Sequence, residues 1–438
     1  MIAHESTSLA AAEGTPMSEL APRLGITHAL EGSLRQSGEA MRVNLRLTDM
    51  ANGRTLWSQD FDREAADVFA LQSEIAHAVA TALTLKLALV PAPRGGDAEF
   101  LRRYFAAHAL TGMDTRTRSA TPQRTNYLEQ AEAELRELAY LRPADARPHA
   151  ALALVLESRA FSHPDLAPAL RQEAQREAAI ALGLDPRNGE AQGVQAAEAC
   201  RAEDWERCVQ LYERAIAATP SNSLLRFRHA MAVASLGYLQ RAETLVRDAK
   251  ARDPINSFWS FALARLLDTQ GQHDAARTEF AKAPGRSLYG DWFNAVWRND
   301  LDDASRIASK LREPRPGDEY GMALAPIYVA TTEALRDPGQ WPRAVAAMDD
   351  WEAKSGMMAF QRVMVPGADA EAMLARLATV RQRSYSSWDL LVWTQNLAYL
   401  RRGPAFQRYL ADTGILAYWR KHGFPPQCTP TPQGAQCR

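Results

Sequence analysis

The sequence predicts a mainly α fold, a solenoid of stacked helix pairs preceded by a small, incomplete α/β domain with an antiparallel three-stranded sheet. Three observations predict it. Pro186, Pro220 and Pro254 recur every 34 residues and close helix-like runs of one cadence, REAAIALGLDP, YERAIAATP and VRDAKARDP. A repeat of that length is a helix–turn–helix unit whose apolar face can be buried only by stacking on a neighbour. Small residues return at fixed offsets within successive units. Before about residue 90 the apolar period falls to two, the period of a half-buried strand.

Composition narrows the classes. A chain of 438 residues is long enough for two or three cores. Apolar content of 46% and charged content of 24% are ordinary for a globular protein. The formal net charge of −1 supplies no global field toward nucleic acid or an anionic membrane, so direct nucleic-acid binding is not expected. No run approaches the roughly 18 apolar residues of a membrane span. The opening MIAHESTSLAAAEGTPM has neither a basic n-region nor a long apolar h-region and does not read as a signal peptide. The expectation is therefore a periplasmic protein if targeting information and a membrane span lie upstream, and a cytoplasmic one otherwise.

The first domain is expected over residues 1–90. SELAPRLG reads as a short helix ending at Gly25. In ITHALEGSLRQ, Ile26, His28, Leu30 and Leu34 point one way and Thr27, Glu31, Ser33 and Arg35 the other. In MRVNLRLTDM, Met41, Val43, Leu45 and Leu47 alternate against Arg42, Asn44, Arg46 and Thr48. Ser37-Gly38-Glu39 marks one turn, and Asn52-Gly53, which suits positive φ, marks the next. RTLWSQDF makes a third strand with Trp57 and Phe61 on one face. DVFALQSEIAHAVATALTLKL is an amphipathic helix with Val68, Leu71, Ile75, Ala78, Val79 and Ala82 on its apolar stripe. One sheet edge is bare, so further elements are expected on the N-terminal side. VPAPRGG, residues 90–96, is a linker by its proline and glycine content.

Helix pairs are expected over residues 97–310. Aligned on the prolines, small residues sit where two helices approach: Ala196, Cys208 and Ala215, then Ala230, Ala242 and Ala249, then Ala264, Ala276 and Ala283. Trp205, Tyr212, Leu239, Val246, Leu267 and Phe280 fill between units, and Gly237 and Gly271 stand at the turn within each pair. This combination identifies the region as a tetratricopeptide-repeat α-solenoid. Backward, HAALALVLESRAF and RQEAQREAAIALGLDP form a pair stretched by the loop SHPDLAP, and FLRRYFAAHALTG and YLEQAEAELRELAYLRP form another. Forward, SLYGDWFNAVWRND and LDDASRIASKLRE form a degenerate pair. Residues 311–438 read as a divergent helical cap with a cysteine-containing tail.

Chemistry-bearing motifs are few. H-E-x-x-H, G-x-S-x-G, G-x-x-x-x-G-K and G-x-G-x-x-G are all absent. The nine histidines are scattered. Asp302-Asp303 and Asp349-Asp350 are adjacent on helices, where neighbours diverge by about 100°, so they suit solvated faces and helix starts rather than acid–base pairs. No enzyme, cofactor or metal is expected. Cys200/Cys208 and Cys428/Cys437 form close pairs without C-x-x-C spacing. For each pair two readings stand, a disulfide or separate thiols, with Cys208 alternatively a small buried contact residue. In such a solenoid the first helix of each pair lines the concave wall. That wall would carry Arg201, Phe227, Met231, Phe261 and Arg265, aromatics and arginines suited to a peptide or partner helix. Phe227 and Phe261 serve equally well as packing between repeats.

The run LAPRLGITHALEGSLRQSGEAMRVNLRLTDMANGRTLWSQDFDREAADVFALQSEIAHAVATAL resembles the TolB-like N-terminal α/β module of bacterial winged-helix transcriptional regulators and of class III adenylate cyclases that carry tetratricopeptide repeats. The marks are LEGSLR, the LTD turn, GRTLWSQDFDR and DVFALQSEIA, within residues 18–85. The tail FQRYLADTGILAYWRKHGFPPQC with Cys437 is similar to the end of such proteins. The family's opening LPF…DG stretch, its winged helix and its cyclase domain have no counterpart here. The resemblance implies a sensor or scaffold half without its output half, binding a protein or small-ligand signal. It lies in the periplasm in regulators with a membrane span, where the cysteines would oxidise, and in the cytoplasm in cyclase-like relatives. The alternatives carried are the regulatory region of an adenylate cyclase and a free-standing periplasmic assembly factor.

Overall fold

A computed structural model describes residues 26–37, 40–64, 98–111, 122–163, 166–220, 222–254, 256–283, 288–313, 319–355, 358–383 and 390–438, with residues 17, 19, 21, 75 and 78 besides. The chain divides into two compact units, residues 1–109 and 110–438.

The first unit holds an antiparallel sheet of β1 (His28–Ser37), β2 (Ala40–Asp49) and β3 (Arg54–Glu64), in that order. The alternation in β2 is realised: Met41, Val43 and Leu47 are buried and Leu45 half-buried. Val43 stands opposite Phe61 and Leu47 opposite Trp57, whose rings lie 6.3 Å apart. The other face is polar, with Arg42 donating to Asp62 at 2.6 and 2.9 Å. Gly53 has φ +69°, and Asn52 Oδ1 accepts from Arg54 N, closing the expected tight turn. β1 departs from its reading. Leu30 pairs with Leu47 yet is 44% exposed, while Ala29 on the opposite face is buried. Period alone cannot say which face of an edge strand finds a cover. The helices read over 18–25 and 67–87 and the linker 90–96 lie outside the described residues, apart from isolated positions. Helix α1 (Ala98–Thr111) crosses the division between the units.

The second unit begins with α2 (Pro122–Leu141), which packs on α3. Helices then come in pairs: α3 (Ala146–Ser162) with α4 (Ala167–Leu184), α5 (Gly189–Arg201) with α6 (Trp205–Ala218), and α7 (Ser223–Ser235) with α8 (Leu239–Arg252). They continue as α9 (Ser257–Thr269) with α10 (His273–Ala281), α11 (Leu288–Trp297) with α12 (Leu301–Lys310), and α13 (Glu319–Arg336) with α14 (Trp341–Ser355). All nine small residues aligned on the prolines are buried, and so are the six bulky residues placed between units. A methyl-sized side chain at these crossings lets backbones approach; an added methylene or two would cost about 1–3 kcal/mol.

The junctions explain the proline period. Asp185, Thr219 and Asp253 donate backbone N–H to Ala181, Ala215 and Ala249, ending each second helix. Proline follows, and Asn188, Asn222 and Asn256 cap the next helix by accepting from Ala191, Leu225 and Phe258 N–H. Within pairs, Gly237 and Gly271 have φ +84° and +76°. Glu203 and Asn299 stand at the matching turns with φ +61° and +58°.

The remaining chain forms α15 (Ala370–Arg383), α16 (Leu390–Trp393), α17 (Pro404–Asp412), α18 (Ile415–His422) and a terminal hairpin, β4 (Cys428–Thr431) with β5 (Gly434–Cys437). This segment shares one core with α5–α10.

Candidate interaction surfaces

The five residues assigned to the concave wall sit on α5, α7 and α9. Arg201 is only 9% exposed; its guanidinium is held by Glu157, from α3, and by Glu198 at 2.6 Å. Burial pulls its pKa down, but the two carboxylates outweigh burial and hold it above the ordinary value. Met231 is 4% exposed, in the core shared with the C-terminal segment. Phe227 and Phe261 are half-buried in an aromatic row. Phe227 lies 4.7 Å from Phe258 edge to face, Phe258 lies 6.4 Å from Phe261, and Phe261 lies 6.1 Å from Phe280. Arg265 is half-buried and burial lowers its pKa, with Asp268 opposing. Phe227 and Phe261 are thus brought together through Phe258, whereas Arg201 belongs to a separate ionic cluster. Arg201 and Met231 offer a partner almost no surface, because folding has already supplied their contacts.

For Met231 much of the reason is the C-terminal segment, which shares its core and lies along the turns within the pairs. Helix α7 ends with carbonyls that have no partner inside the helix. Trp393 Nε1 donates to Ser235 O at 3.0 Å, Trp419 Nε1 to Leu236 O at 2.8 Å, and Gln427 Nε2 to Gly237 O at 2.6 Å. Tyr238 Oη donates to Gly423 O at 2.6 Å. One turn earlier, Trp205 Nε1 donates to Thr413 O at 2.7 Å, and Glu206 accepts from Lys421 and His422 at 2.7 and 2.9 Å. One turn later, a Cβ on Gly271 would collide with Gln395. Sequence reasoning missed this clasp. Its tryptophans were visible, but nothing local says which carbonyls they reach.

The disulfides fall in both regions. Cys200–Cys208, with Cα atoms 5.0 Å apart, ties the end of α5 to the start of α6. Cys428–Cys437, at 4.1 Å, closes the terminal hairpin, and no cysteine is left free. The aspartate pairs point apart: Asp302 meets Arg336 and Asp303 meets Arg298, while Asp349 meets Arg362 and Asp350 meets Lys354. Among the described residues, no group of three or more His, Cys, Asp or Glu could hold a metal, and no helix is long and apolar enough to cross a membrane. His229, buried against Tyr212 with both ring nitrogens unpartnered, is held down to about 4 by burial, helped by Arg241 and Arg226.

Known proteins resemble parts of this chain. No family model matches it. A curated protein of Rhizobium meliloti (strain 1021), "Putative adenylate cyclase 3", is 38% identical over 64 residues, which is 15% of this chain and 11% of that protein. This chain therefore matches only a small part of that relative's length. Among solved structures, pilF of Pseudomonas aeruginosa is 21% identical, with a TM-score of 0.36, covering 51% of this chain and 96% of its own. PilW, a type IV pilus biogenesis factor, is 18% identical, with a TM-score of 0.37, covering 52% and 98%.

Proposed function

We propose that this chain is a non-catalytic interaction scaffold of a bacterial signalling or transcription-regulatory protein. In this reading residues 1–90 form a TolB-like sensor portion, 97–310 the repeat array and 311–438 its cap. The observation that carries it is the stack of pairs itself. Rigid helices joined by nearest-neighbour packing present a long surface built of side chains rather than a reaction centre. The partner is a protein or peptide meeting the first helices at Phe227, Phe261 and Arg265, while Arg201 and Met231 are too buried to take part directly. Pairing of all four cysteines supports a periplasmic location, an oxidising compartment.

A second reading, the regulatory region of an adenylate cyclase, is favoured by the 64-residue match. The reading frame upstream of Met1 separates the two: a winged helix with a membrane span supports the regulator, a cyclase domain the alternative. The contact face is tested by changing Phe227 and Arg265 to alanine together. Crosslinked partners recovered from the source cells should disappear while circular dichroism stays unchanged; retained partners would remove this face from the proposal.

A further inference from the structure

Between α4 and the end of α5 lies an open cleft of about 730 Å³, lined by Arg171, Gln172, Gln175, Arg176, Glu198 and Arg201 among others, and by no residue beyond Ala202. The 34-residue period identifies its copy in the next repeat. Arg171 and Gln172 correspond to Trp205 and Glu206; Arg201 and Ala202 correspond to Ser235 and Leu236. That copy is filled. Helix α18 packs on α6, its Trp419 donating to Leu236 O and its Lys421 and His422 to Glu206. The chain thus shows what such a groove takes: a short helix that anchors an aromatic at the turn and sets its charged end against the rim.

The rims carry opposite charge. The filled groove offers Glu206 to a helix ending Arg420-Lys421-His422. The open one presents Arg171 and Arg176, with Glu198 the one acidic residue in its lining; Arg201 behind them is buried and already paired with Glu157 and Glu198. Resting on the scaffold reading, we propose that the α4/α5 cleft is a docking site for a short acidic helix of a partner protein, bound as α18 is bound one repeat later. Continuity with the clasp supplies the shape, and charge complementarity selects the partner.

The probes are two fluorescent synthetic peptides of residues 410–424, one native and one carrying Arg420→Glu, Lys421→Glu and His422→Glu, titrated into the full chain and followed by anisotropy. The acidic peptide should bind, with affinity falling as salt rises, and the native one should bind at least about tenfold more weakly. Arg176→Glu, at an exposed position, should weaken the acidic peptide by about tenfold or more, and Gln172→Glu should act in the same direction. Absence of acidic-peptide binding, equal binding of both peptides, or indifference to both variants on a folded chain would overturn the proposal. If it falls while the Phe227/Arg265 variant still loses its cellular partner, the scaffold reading stands and the cleft alone is wrong.

Discussion

The repeats of α5–α10 and the clasp of α15–β5 share one core, yet their order has different origins. Each repeat is specified within 34 residues by a proline, an asparagine cap, small residues at the crossings and a positive-φ turn. The clasp is specified by partners far away: Trp393 reaches back 158 residues, Trp419 183 and Trp205 forward 208. The difference teaches where each region should fail. Repeats are buffered by their neighbours, whereas the clasp rests on a few indoles that satisfy helix-end carbonyls.

The sharpest way to break the comparison is Trp419→Ala. It empties a fully buried site and orphans Leu236 O, at a cost of about 3–5 kcal/mol. Hydrogen exchange should lose protection over 415–438 and keep it over α5–α10. Equal loss in both would mean the repeats depend on the clasp as much as the reverse.

Acid should probe the repeats instead. His229 on α7 has a folded pKa of about 4, below its ordinary 6.5. The unfolded chain therefore takes up a proton first as pH falls. Stability is full above about 6.5, drains toward 4 and is flat below, a loss of about 3 kcal/mol. Asp291, pushed up to about 6 by burial and then by Asp303, acts in the opposite direction over an overlapping window. The measurement is thus the difference between parent and His229→Phe in urea denaturation across pH, and parallel curves would refute the assignment.

The smallest effect sharpens the repeat rule. Glu203→Gly relieves a left-handed backbone and should gain about 1 kcal/mol, read as a rise in Tm. Gly237→Ala at the matching turn should lose stability, because its Cβ meets Gln427, Trp393 and Pro425 at 3.2–3.3 Å. The same sign for both would sink the equivalence of the two turns.

Legibility followed these origins. Pairing from α3 to α12 could be read because proline and small-residue spacing are local properties. The N-caps Asn188, Asn222 and Asn256 are equally periodic and lie two residues after the prolines. Past residue 310 a further pair, α13 with α14, has no readable period: its core holds small residues, Ala330, Ala334 and Ala344, but Leu288 and Met322 stand where the 34-residue proline spacing would continue. The candidate wall was legible as positions, but its burial was not.

The sequence by itself determined the helix pairs, their turns, the strand alternation of β2 and the cysteine pairs close enough to bridge. These follow from backbone preference and periodic burial, which act over a few residues. Only the tertiary structure decided which edge face of β1 is covered, which carbonyls the tryptophans satisfy and which of two equivalent grooves is left open. Those outcomes depend on which surfaces meet once the chain has closed on itself, and no local preference carries that information.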